Sequence, residues 1–252
     1  MQIIAISNQK GGCAKTTTAV NLAAGLAQAG RRVLLIDLDP QGNASEWLNV
    51  TETTVGSLDI FTTEQPLDGL LRVSSVSGVS VIAGSGALSA LDRALLSDAT
   101  PETVLKRRFA TLSKSNWDDV ILDTPPTLGL LTLNALTAAD QLLVPVTTQV
   151  LSLSGVAQLM QTVDQVRESL NPRLALLGVV ASRVDMRTLH AQDVIHALLE
   201  SFGSKLLNTR IRENIRLAEA PSFRESIFQY RPKSGAADDY RALAQEVLSL
   251  TQ

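Results

Sequence analysis

The chain has 252 residues, 45% hydrophobic and 19% charged, with a formal net charge of −3. That length supports one sizeable α/β domain, and the mild acidity excludes a whole-molecule attraction to polyanions while leaving a local basic face open. A single cysteine rules out an internal disulfide framework and fits a reducing cytosol, and no window approaches the ~18 apolar residues of a spanning helix. The first residues are strand-like rather than a basic stretch with an apolar core, so no secretory leader is expected.

Taken in chain order, the elements alternate. The apolar run Ile3–Ile6 predicts a strand, and Lys10 to Thr17 a glycine-bearing turn. Thr16 to Ala29 repeats apolar residues at helical spacing and stops at Gly30. Arg32 to Asp37 reads as a buried parallel strand, as do Val79–Ala83, Asp119–Asp123, Gln141–Val146, Leu174–Ser182 and Leu206–Thr209. Helical patterns fall near Pro101–Lys114, Leu128–Ala138, Ser154–Ser169, Thr188–Phe202 and Ala236–Leu250. Asn49–Val76 is the least regular stretch and is expected to be a surface insertion. This alternation implies an α/β fold with a doubly wound, mostly parallel sheet and helices on both faces. With only Met1 and Gln2 before the first strand, residues 1–252 are expected to form a single domain without an N-terminal helix-turn-helix module.

Three segments carry chemistry. A strand running through Gly11 and Gly12 into a helix is a phosphate cradle: backbone N–H groups and the positive helix end both favour polyphosphate. Lys15 is then the cation for the β- and γ-phosphates, and Thr16 supplies a hydroxyl to Mg²⁺. Lys10 is unusual, because an ordinary phosphate loop needs no charge at its start. Asp37 and Asp39, two residues apart at a strand's C-terminal end, both point toward the crevice where doubly wound sheets bind ligands. Next to a triphosphate such a pair is repulsive unless Mg²⁺ or a held water lies between. Val120–Asp123 is an apolar strand ending in an acid, the arrangement in which Asp123 holds Mg²⁺, usually through water.

The stretch Lys10-Gly11-Gly12-Cys13-Ala14-Lys15-Thr16-Thr17 resembles the deviant Walker A box of the ParA/Soj/MinD family of P-loop ATPases. Asp37-Leu38-Asp39-Pro40-Gln41-Gly42-Asn43 and Asp123-Thr124-Pro125-Pro126 resemble two further motifs of that family. The resemblance implies ATP and Mg²⁺ as cofactors and a homodimer in which Lys10 reaches the partner's phosphates. It also implies Asp39 as the residue that orients or activates the attacking water, with Asp37 supporting the Mg²⁺ shell. Ala14 departs from the pattern, which has glycine there; if that residue needs a positive φ, alanine costs about 1 kcal/mol.

Asn208 to Phe223 resembles the family segment that lies near the adenine base, with Arg212-Glu213 in place of the usual Pro-Arg, and makes Asn214 a candidate base contact. From Lys205 to Arg241 there are eight basic residues against five acidic ones, so a phosphate-contacting stripe is feasible. By resemblance, Arg187 and Arg216 correspond to arginines that bind DNA without sequence preference. The whole pattern implies a cytoplasmic, nucleoid-associated partitioning ATPase stimulated by a centromere-binding, ParB-like partner. A positioning ATPase for a protein cargo uses the same chemistry. A MinD-like membrane ATPase needs a basic amphipathic C-terminal helix. The stretch Gln245–Gln252 is acidic instead, so no membrane contact is expected. Cys13 is read as contributing its backbone, and His190 and His196 lack metal-ligand spacing.

Overall fold

The computed structural model describes residues 1–51, 55–148 and 153–251. Eight strands form one sheet in the order β3-β4-β2-β5-β1-β6-β7-β8. They are β1 (Gln2–Ile6), β2 (Val33–Asp37), β3 (Arg72–Val73), β4 (Val79–Ile82), β5 (Asp119–Asp123), β6 (Gln141–Thr147), β7 (Ala175–Val184) and β8 (Leu206–Arg212). All pairings are parallel except that of β3 with β4. The expected strands are all present, and the sheet gains the short antiparallel edge β3.

Strand alternation sorts the core into two layers. Ile3, Ala5, Leu34, Ile36, Val120 and Leu122 face one cluster, whereas Ile4, Ile6, Val33, Leu35 and Ile121 face the other. Both faces are apolar because both are covered by helices, which explains why these strands read as continuous hydrophobic runs. The second face is roofed by the first helix (Lys15–Gln28) and the last helix (Gly235–Leu250), with Leu22, Leu26, Tyr240, Leu243 and Val247 buried between them and the sheet. The apolar stripe of the last helix is therefore committed to packing.

Two expectations need correction. Asn49–Val76 is not a surface insertion: Ile60, Phe61, Leu67 and Leu70 are buried in the first core cluster, while residues 52–54 of that stretch lie outside the described residues. Pro101–Lys114 is not one helix either. It breaks into a 3₁₀ turn at Pro101–Thr103, a five-residue helix at Val104–Arg108 and a further 3₁₀ turn at Phe109–Thr111. Asn134, buried on the neighbouring helix Leu130–Ala138, receives the Leu105 N–H at 3.0 Å and donates to the Pro101 carbonyl at 2.8 Å. Those bonds satisfy backbone groups that a continuous helix would satisfy internally. The residue periodicity could not reveal a partner about thirty positions away.

The first and last helices meet at Gly25. A side chain there would bring its Cβ to 2.9 Å from Cβ of Ala244 and 3.4 Å from the Tyr240 carbonyl. Gly25→Val is expected to lower stability by roughly 2 kcal/mol through overpacking, read as a shift in the urea midpoint at unchanged slope. A midpoint equal to that of the parent would show that the two helices can separate without cost.

Candidate nucleotide site

β1 lies between β5 and β6, so successive connections leave it in opposite directions and open a crevice at its C-terminal end. The turn from Lys10 to Ala14 fills that crevice. Gly12 has φ +73° and Ala14 φ +67°, ψ 29°, both left-handed. The expected departure at Ala14 is thus a real backbone demand: this alanine occupies a conformation that glycine enters freely. Ala14 caps the first helix without a side-chain bond, its carbonyl accepting from the Thr18 N–H at 2.8 Å. The N–H groups at the start of that helix have no intrahelical acceptor and carry its positive dipole end.

Beside this turn is a cavity of about 770 Å³, a volume typical of small-ligand sites. Gly11, Gly12, Ala14, Lys15, Thr16 and Thr17 line it on the loop side, together with Asp39. Lys15 is buried, and its ammonium donates to the Lys10 carbonyl at 3.2 Å. The Cys13 thiol is buried outside the lining, and burial pushes its pKa up against the opposing charge of Lys15. Only the backbone of Cys13 is therefore suited to a ligand. The Lys10 side chain does not line the cavity of its own subunit.

The three acids differ in kind. Asp37 is fully buried, and its carboxylate accepts from the Ser45 N–H at 2.9 Å, the Ser45 hydroxyl at 2.7 Å and the Asp39 N–H at 3.1 Å. Desolvation still pushes its pKa up to about 6. Asp39 is at the cavity wall, and its Oδ1 accepts from the Gln41 N–H at 3.0 Å. Asp123 stands in register with Asp37 across β2 and β5. It is fully buried, and neither of its oxygens closes a hydrogen bond. Its pKa is driven well up, first by burial and then by the Asp37 charge, with the Thr16 hydroxyl and Lys15 opposing. A buried carboxylate that closes no hydrogen bond, with only a hydroxyl and an ammonium favouring its charge, demands an explanation. A hydrated divalent cation held jointly with a hydroxyl and phosphate oxygens is one that fits, since Mg²⁺ keeps several waters and takes few protein ligands. That style of site needs no cluster of three acids, and none exists among the described residues.

The remaining lining comes from Gln41, Asn43, Pro126 and Arg183, from residues 211–215, and from Leu217, Ala218 and Tyr240. Asn214 is therefore brought to the same cavity as the loop, and its Oδ1 accepts from the Arg216 N–H at 3.0 Å to start the short helix Ile215–Glu219. Arg183, Tyr240 and Ser45 were not foreseen. Nothing in their local sequence marks them, since Arg183 owes its place to a register shift in β7 with φ +53° and Tyr240 to the docking of the last helix. Arg187 and Arg216 are not in this cavity. Arg187 is 89% exposed at its side chain and pairs with Asp185 at 2.7 Å, holding that acid down to about 2. Arg216 pairs with Glu219 at 2.7 Å, and the Tyr230 hydroxyl donates to the same oxygen. Arg216 also edges a separate surface groove with Tyr230, Arg231 and Lys233.

A strand, a left-handed glycine turn, an uncapped helix start and a buried orphan acid on the adjoining strand define a P-loop nucleotide-binding protein of the doubly wound α/β class. Comparison with known proteins narrows the class. The AAA domain profile matches residues 1–176. The chain is 47% identical to the chromosome-partitioning ATPase Soj of Thermus thermophilus over 99% of its own length and 96% of that protein. It is 41% identical to the sporulation initiation inhibitor protein Soj of Bacillus subtilis, covering 98% of each. Among solved structures, the cobyrinic acid a,c-diamide synthase of Mycobacterium smegmatis, with bound ADP and magnesium, superposes with a TM-score of 0.87 at 34% identity, covering 98% of this chain and 94% of that one. The chain belongs to the Soj/ParA family of chromosome-partitioning ATPases.

Because Ala14 holds a left-handed conformation, Ala14→Gly is expected to raise stability by about 1 kcal/mol despite the greater freedom of glycine in the unfolded chain. Urea unfolding of the nucleotide-free protein measures it. A fall in stability would mean that the left-handed strain at this position is negligible.

Proposed function

We propose that the protein is a Mg²⁺-dependent ATPase of DNA segregation. It would dimerise around ATP, bind DNA without sequence preference and hydrolyse ATP when a centromere-binding, ParB-like partner engages it. One observation carries the nucleotide part: the unpartnered, buried Asp123 carboxylate behind a left-handed turn that opens on the main cavity. The ATPase name of the Thermus relative and the ADP and magnesium in the Mycobacterium structure are in keeping with it.

In this reading the backbone of Gly11 to Thr17 and the helix start receive the phosphates, and Lys15 leaves its Lys10 carbonyl to neutralise them. The Thr16 hydroxyl and Asp123 would hold Mg²⁺, and Asp37, which accepts from the Asp39 N–H, would back that shell. The metal supplies charge neutralisation on the transferred phosphoryl group. Asp39 accepts a hydrogen bond from the attacking water and holds it in line, so the protein's work is positioning and electrostatics rather than covalent chemistry. Lys10, which stays out of its own cavity, serves the partner's phosphates. Hydrolysis and dimerisation are then coupled. Asn214 takes the base side.

The DNA surface follows from exposed guanidinium groups. Arg187 projects into solvent, and Arg216 edges a groove with Arg231 and Lys233. Their present partners, Asp185 and Glu219, are partly buried acids near the surface, and such pairs contribute little. A phosphate can replace them at small cost, and dimerisation doubles the charge presented.

Lys10→Ala is expected to keep ATP affinity within about threefold while losing ATP-dependent dimerisation, a loss of contacts made only across the dimer. Sedimentation velocity with and without ATP reads this; parent-like dimers in the variant would remove the trans role of Lys10. For the DNA surface, association with a random duplex is measured across a salt series with ATP present. The parent's log affinity should fall linearly with log salt, and Arg216→Glu should bind at least about tenfold more weakly with a shallower slope. Equal affinities and slopes would locate DNA binding elsewhere.

A further inference from the structure

Arg212 ends β8 and lines the nucleotide cavity. Its backbone N–H donates to Oδ2 of Asp239 at 3.0 Å, its Nε to both oxygens of that carboxylate at 3.0 Å, and its Nη2 to Oδ1 at 2.6 Å. Nη2 also donates to the Gly235 carbonyl at 3.1 Å. Asp239 is buried on the last helix, immediately before the cavity residue Tyr240. Gly235 leaves the space that the guanidinium fills, since a Cβ there would stand 2.9 Å from Nη2. The guanidinium is thus held in one orientation by a bidentate carboxylate and a carbonyl.

A guanidinium has five N–H donors. Nε and Nη2 account for three, which leaves the two on Nη1 without a partner among the described residues. Arg212 belongs to a wall that also carries Ile211, Ile215, Leu217 and Ala218, whose apolar surfaces suit the faces of a base. The phosphate-binding turn supplies the other part of the lining.

We propose that Arg212 is a further nucleotide-binding residue, donating from Nη1 to acceptor atoms on the nucleoside half of the bound nucleotide, and that Asp239 is the positioning residue that orients it. The assignment rests on the ATP reading above. It makes Arg212 remote from the transferred phosphoryl group, so its contribution is to binding in the ground and transition states alike.

The test compares Mg²⁺-ATP with Mg²⁺-tripolyphosphate, which has the phosphates but no nucleoside, by titration calorimetry. Arg212→Ala should weaken ATP about tenfold, the order of one hydrogen bond from a charged donor, with tripolyphosphate affinity unchanged. Arg212→Lys should fall between that variant and the parent. In turnover assays KM for ATP should rise while kcat holds. Since Arg212→Ala strands a buried carboxylate, the double variant Arg212→Ala/Asp239→Ala keeps the test open if the single variant fails to fold, and it should show the same selective loss. ATP affinity within twofold of the parent, or equal losses for ATP and tripolyphosphate, would overturn the assignment. A parent that binds tripolyphosphate but gains nothing from the nucleoside would overturn it as well. A parent that binds neither would overturn the nucleotide reading itself, and this assignment with it.

Discussion

Two carboxylates end adjacent strands in register, Asp37 on β2 and Asp123 on β5, both with no contact with water. Burial alone disfavours their charged forms; the Asp39 charge raises the Asp37 pKa further, and the Asp37 and Asp39 charges raise that of Asp123. Most of the surrounding architecture can be understood as a response to that juxtaposition. Ser45 and the Asp39 N–H satisfy Asp37. Asp123 closes no such bonds, and only the Thr16 hydroxyl, the buried Lys15 and the uncapped first helix favour its charge from nearby. One acid rich in hydrogen bonds and one that closes none thus stand side by side at the strand ends.

The loop above that pair stores a second cost. Gly12 and Ala14 are both left-handed, and only the glycine adopts that shape without penalty. Strain of this kind persists where the surroundings over-determine it. Here β1 and the first helix fix the turn at both ends, each packed into the same core cluster. The gain is a set of backbone donors converging on one side of the turn. Function and instability share these residues, while the core beneath them is ordinary close packing of aliphatic side chains.

The last helix ties the nucleotide wall to the rest of the domain. It buries Tyr240, Leu243 and Val247 against the first helix and sheet, and from the same stretch Asp239 grips Arg212 at the end of β8. The wall and the phosphate turn are thus attached to two helices that touch at Gly25 and Ala244. A shift of either helix would alter the distance between the two halves of the cavity. Wet, exposed pairs such as Arg187–Asp185 lack that role, being free to exchange an acid for another anion.

Local sequence determined the seven parallel strands, the phosphate turn and the acids at the strand ends, because each depends on residue order within a dozen positions. Hydrophobic runs mark buried strands, and glycine, lysine and threonine at fixed spacing mark a polyphosphate turn. Tertiary structure alone decided which of the acids is satisfied, since Ser45 reaches Asp37 across a turn that has no periodic signature. It likewise decided that the stretch around Ile60 and Leu67 belongs to the core, that Asn134 breaks the helix at Val104, and that Arg183, Arg212 and Tyr240 converge on one cavity. Apart from the Ser45–Asp37 contact, which spans a turn of eight positions, those outcomes hang on contacts between residues tens to hundreds of positions apart, whose energies exist only once the sheet order has brought them together.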